Sequence, residues 1–88
     1  MSENTDPKQI AEQVKKILAS QTDKEESDIA DDAHIANDLG ADSLTAAEIV
    51  LALEDTFKIT IKDEDAEKIQ TASDAIDLVK ALTDAKGD

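Results

Sequence analysis

Asp38-Leu39-Gly40-Ala41-Asp42-Ser43-Leu44 runs directly into Thr45-Ala46-Ala47-Glu48-Ile49-Val50-Leu51-Ala52-Leu53-Glu54-Asp55-Thr56-Phe57. The first half reads as a turn, because Gly40 gives the backbone freedom just ahead of a regular element. The second half reads as a helix over Ser43 to Phe57. Val50, Leu53 and Phe57 recur on one apolar stripe, extended by Ala46. Leu44, Ala47 and Leu51 make an adjoining stripe. The combined arc is wider than a surface helix needs, so part of it is predicted to face something other than the domain's own core. On position alone Ser43 reads as a helix cap, since serine is a preferred N-cap residue.

The sequence on either side supplies three more helices. Ile59 and Ile61 lie in a short connection. Asp63-Glu64-Asp65 then places acids in the first turn of a short third helix ending near Ile69, where the helix dipole favours negative charge. Thr71 with Asp74 resembles a capping box for a fourth helix, whose buried face is Ala75, Leu78, Val79 and Leu82. Toward the N-terminus, Asp6-Pro7 reads as a cap followed by proline at the first helical position. Ile10, Val14, Ile17 and Leu18 give that first helix its stripe, to about Ser20. From Gln21 to Ala41 no period is sustained; Ile29, Ala33, Ile35 and Leu39 are expected to pin the loop down, with one helical turn near His34 to Asp38. The expected fold is all-α: a small, mostly antiparallel four-helix bundle with three longer helices, one short helix and a long first loop. One domain is expected over residues 7–84, with flexible termini at 1–6 and 85–88.

Composition narrows the function. The 88 residues carry a net charge of −13, and every one of the nine basic residues is lysine. That balance disfavours nucleic acid and anionic membrane, both of which need a basic surface. Apolar residues at 40% in helical periods argue against disorder. Cysteine is absent, so the chain has no thiol of its own and no disulfide framework. Phe57 is the only aromatic residue, which predicts an aliphatic core. No apolar run reaches membrane-span length and Met1 to Asp6 has no signal-peptide character, so a cytoplasmic location is expected.

The string Asp38 to Leu44, with Asp42-Ser43-Leu44 at its centre, resembles the phosphopantetheine attachment motif of acyl carrier proteins. Glu48 to Phe57 resembles that family's second helix, and Asp63 to Ile69 its third. The similarity extends over about Ile10 to Leu82. It implies a discrete carrier, not an enzyme, on which a phosphopantetheinyl transferase moves 4′-phosphopantetheine from coenzyme A to the Ser43 hydroxyl. The arm's thiol then holds acyl chains as thioesters, which answers the missing cysteine. The implied role is to shuttle acyl intermediates between enzymes of fatty acid or related lipid or polyketide biosynthesis, as a monomer. A helix N-terminus is a natural place for the phosphate.

The stretch Gln21 to Phe57 holds eleven acids against Lys24 alone, a local charge of −10. Such runs are usually solvated surface, but their concentration beside Ser43 also suits steered docking of enzymes with basic patches. The resemblance assigns recognition to Asp42, Glu48, Glu54 and Asp55, with Leu44 and Leu51 as apolar contacts. It also implies an acyl pocket, for which Val50, Leu53, Phe57, Ile61, Ala66, Ile69 and Val79 are candidates; all would be buried in an ordinary core as well. Thr45 stands where many relatives carry an acid, and Lys58 and Lys62 bracket a connection that is often acidic. These departures leave the motif intact and bear on the pathway served.

Two rival readings fit the residues less well. A Ser43–His34 hydrolase needs an oriented base, and the chain has no Gly-x-Ser-x-Gly elbow. An acidic interaction module without a cofactor explains the charge and the bundle, but leaves Ser43-Leu44 only a capping role. Asp31 and Asp32 beside His34 are poor grounds for metal ligation, and no metal site is expected.

Overall fold

A computed structural model describes residues 7–86, with side chains over 8–83. The chain forms α1 (Pro7–Thr22), α2 (Ser43–Phe57), α3 (Asp63–Glu67) and α4 (Ala72–Lys86), with a short 3₁₀ turn at Glu26–Asp28. No strand occurs among the described residues; a single antiparallel bridge pairs His34 with Thr71. The all-α, four-helix expectation holds. α4 continues through Lys86, two residues into the segment expected to be flexible. Residues 1–6 and 87–88, the rest of the expected termini, lie outside the described residues.

Helix ends explain where each element stops. α1 ends at Asp23, whose φ of 60° turns the chain left-handed while the Lys24 N–H closes back on Ala19 O at 2.9 Å. α2 ends the same way at Lys58, with φ of 58° and the Ile59 N–H on Glu54 O. α4 starts on the expected capping box: the Asp74 N–H donates to Thr71 Oγ1, and the Thr71 N–H donates back to Asp74 Oδ2.

The core is aliphatic apart from Phe57. Ile10, Val14 and Leu18 of α1 meet Ile49, Leu53 and Phe57 of α2 and Ala72, Ala75, Ile76 and Val79 of α4. α1 is the central partner, packed on both α2 and α4, whereas α3 has no comparable helix–helix contact. Two expectations about faces change here. α2 turns Ile49 inward together with Leu53 and Phe57, while Val50 is only half-buried and Ala46 is exposed. α4 buries Ala72 and Ile76 as well as Ala75 and Val79, leaving Leu78 and Leu82 at the margin.

The long loop is ordered by its backbone. Ile29, Ala33, Ile35 and Leu39 are buried, as expected of anchors. The Asp38 N–H bonds His34 O at 2.7 Å, making the anticipated helical turn. The Ser73 and Ala72 N–H groups, at the start of α4, bond Asp31 O and Ala33 O, while the Ile35 N–H bonds Gln70 O. The loop thereby caps α4 with its own carbonyls and delivers the chain to the start of α2. The 3₁₀ turn has no counterpart in the sequence pattern, because three polar residues, Glu26-Ser27-Asp28, show no period.

Candidate functional site

The site is the entrance to α2. Gly40 has φ of +75°, and no atom beyond its chain neighbours lies within 4 Å of the place a Cβ would take, so glycine is favoured there by backbone conformation and not by space. The Ala41 N–H bonds Ile35 O, fixing the approach. Asp42 is extended, and its carboxylate accepts the Thr45 N–H at 2.9 Å. The N-cap is therefore Asp42, not Ser43. Ser43 is the first helical residue, exposed, and its hydroxyl bonds to no described residue. An aspartate three residues before the bonded amide was the available signal, and it competed with the serine preference for the same position.

Electrostatics at this entrance follow from the backbone. The helical ladder begins with the Ala46 N–H on Asp42 O, so the N–H groups of Ser43, Leu44 and Thr45 precede it. Hydrogen bonds from the Thr45 backbone, and after it the Thr45 side chain, hold the Asp42 carboxyl below its ordinary value, with the Leu44 N–H adding to the effect. The start of a 15-residue helix favours an anion on the Ser43 oxygen. An exposed, unengaged hydroxyl in that position fits covalent attachment of a phosphate-linked group.

Around Ser43 lies the expected recognition face. Asp42, Glu48 and Asp55 are exposed, and Leu44 and Leu51 are 68% and 63% exposed. With exposed Ala47, the two leucines form an apolar strip among carboxylates. Glu54 differs: it is half-buried, and its Oε2 accepts the Ile61 N–H at 2.7 Å. His34 makes no bond to Ser43; its backbone N–H donates to Asp38 Oδ2, and its Nδ1 is buried without a partner. Among the described residues, no group of three or more His, Asp or Glu side chains is arranged to hold a metal.

Of the candidate pocket residues, the structure brings Val50, Ala66 and Ile69 together around a cavity of about 40 Å³, also lined by Ile35, Ala46 and Ile49. An open depression of about 400 Å³ shares Val50 and Ala66 and adds Ile61, Ala47, Leu51, Glu54 and Asp63. Leu53, Phe57 and Val79 are core residues and line neither. Ile35 and Ile49 were missed as pocket residues. Ile35 was expected to be a buried loop anchor, but no period in the loop places it beside α2 and α3. Ile49 had a signal, its spacing of four from Leu53. Another open cleft is lined by loop residues alone, Lys24, Asp28, Asp32 and Asp38 together with Ala30, Ala33 and Leu39, and holds none of the candidate pocket residues.

Comparison with known proteins agrees with this geometry. Residues 12–79 match the family model described as the phosphopantetheine attachment site. Among solved structures, the acyl carrier protein from Enterococcus faecalis aligns with a TM-score of 0.74 at 39% identity, covering 86% of this chain and 96% of that one. The chain belongs to the phosphopantetheine attachment family, as one of its acyl carrier proteins. Proteins of this class carry a group and are not themselves catalysts; the group is covalently attached 4′-phosphopantetheine. No described helix is long and apolar enough to cross a membrane.

Proposed function

We propose that Ser43 is the attachment residue and that the chain carries acyl groups between enzymes of fatty acid or related lipid or polyketide biosynthesis. The observation that carries this is the division of labour at the helix start. Asp42 takes the cap, which leaves the exposed Ser43 hydroxyl uncommitted on the first turn. The Ser43 oxygen attacks the diphosphate of coenzyme A; a new P–O bond forms, adenosine bisphosphate leaves, and a base on the transferase takes the proton. The arm supplies a terminal thiol, which the chain lacks. The unit that does this is residues 7–84, acting as a monomer in the cytoplasm.

Docking follows from the same helix. Asp42, Leu44, Glu48, Leu51 and Asp55 form the exposed surface presented to a phosphopantetheinyl transferase and to acyl-transferring and chain-elongating enzymes with basic patches. Charge hastens encounter without slowing release, as a shuttle requires. The cavity shared by α2 and α3 is the acyl shelter. At about 40 Å³ it is far below the roughly 300–1,000 Å³ of a ligand pocket, so it must widen to admit a chain.

The test is an intact mass. Incubation of the unmodified protein with coenzyme A, Mg²⁺ and a broad-specificity transferase adds one phosphopantetheine group to the wild type and none to Ser43→Ala. No addition under conditions that load a control carrier would sink the reading.

A further inference from the structure

Glu54 stands between buried Leu53 and exposed Asp55, and faces neither core nor open solvent. Its carboxylate reaches seven residues forward to the Ile61 amide at 2.7 Å. Its backbone carbonyl accepts the amides of Lys58 and Ile59. One residue thus holds three amides of the α2–α3 connection. Ile61 is buried, and with Val50 and Ala66 it walls the open depression, which shares those last two residues with the small cavity. Beyond Ile61 the backbone hydrogen bonds of Lys62 to Ile69 are local, and α3 has no extensive helix partner. The wall that must move to admit a chain is therefore tethered at its near end by a carboxylate.

We propose that Glu54 is a positioning residue for the carried chain: its carboxylate latches the Ile61 amide and limits how far the α3 wall swings away from Val50. This deepens the carrier reading above and rests on it. The latch sets the length of acyl chain the protein shelters. It also gives Glu54 an inward task in place of a purely electrostatic one on the docking face. The two roles make opposite predictions for two conservative variants. Glu54→Asp keeps the charge and shortens the reach by one bond, about 1.5 Å. Glu54→Gln loses the charge but keeps the reach and an acceptor oxygen.

The experiment uses the full chain in two arms. In the unloaded protein, amide hydrogen exchange at Ile61 is measured by NMR. In the second arm, the transferase loads a hexanoyl-to-hexadecanoyl series from acyl coenzyme A, and the gain in Tm over the unacylated arm is recorded for each length. Glu54→Asp is expected to speed Ile61 exchange about tenfold, as loss of a charge-assisted hydrogen bond implies. It is also expected to move the largest Tm gain to a longer chain. Glu54→Gln, which keeps a neutral hydrogen bond, is expected to change both by clearly less than Glu54→Asp. Unchanged Ile61 exchange in Glu54→Asp overturns the latch, and so does equal behaviour of the two variants. Normal loading with an unshifted chain-length profile also overturns it while leaving the carrier reading intact. Absence of the phosphopantetheine mass in every form overturns the carrier reading, and the sheltering role with it, whatever Ile61 does.

Discussion

Asp42 and Ser43 are neighbours with separate tasks, and the separation has a measurable signature. The Asp42 carboxyl is held below the ordinary value of 3.8 by its bonds from Thr45. A carboxyl that binds its proton more weakly when folded stabilises the fold fully above its ordinary value. That contribution is lost as pH falls through the lower folded value. Asp42→Asn keeps a capping oxygen and removes the titration. Its Tm is expected to fall less steeply than the wild type's as pH drops below about 4, measured in an acid thermal series. Parallel curves would remove Asp42 from the account. Asp31, held low by the Lys15 ammonium at 2.6 Å, adds to the same acid loss, but its exposed pair fades with salt. Gly40 permits a cleaner test. The methyl group of Gly40→Ala meets no atom beyond its chain neighbours within 4 Å, so its cost is conformational alone, about 1 kcal/mol for a left-handed non-glycine residue. In a domain of this size that is a Tm lowered by about 4–8 °C. An unchanged Tm would show that the turn relaxes.

Within α2, one helix gives leucine two fates. Leu53 is fully buried and Leu51 is largely exposed. Leu53→Ala is expected to cost about 2–5 kcal/mol by urea denaturation. Leu51→Ala is expected to change stability by less than about 0.5 kcal/mol while slowing transferase modification of Ser43. Modification of Leu51→Ala at the wild-type rate would refute the docking strip. α4 depends on its first turn: Thr71→Ala breaks the reciprocal cap and is expected to cost about 1 kcal/mol. Both helices were legible as elements, and the Thr71–Asp74 box was read residue by residue. The inward face of α2 was not. Ile49-Val50-Leu51 are three consecutive apolar residues within a broad arc, so periodicity allows more than one of them to lead the buried stripe. The packing of α1 selected Ile49.

For the whole molecule, charge is the dominant surface effect. A net −13 on 88 residues repels itself across a small fold. Added salt or Mg²⁺ is expected to raise Tm, by screening and by weak association with carboxylates. A flat or falling Tm in a salt and Mg²⁺ titration would refute this. Helix count, the Thr71–Asp74 box, the aliphatic core and the string Asp42-Ser43-Leu44 that marks the attachment family were all legible in the sequence. They are local properties, written in spacing and residue type. Folding in three dimensions was needed to show that Asp42, not Ser43, caps α2, that Ile35 from the loop joins Ile49 at the cavity, and that Glu54 turns toward Ile61. These depend on which groups far apart in the chain arrive together, and on which of two adjacent side chains reaches an unpaired amide first. Ser43 keeps a free hydroxyl because that competition was settled by the backbone angles at Asp42, which no single-residue preference encodes.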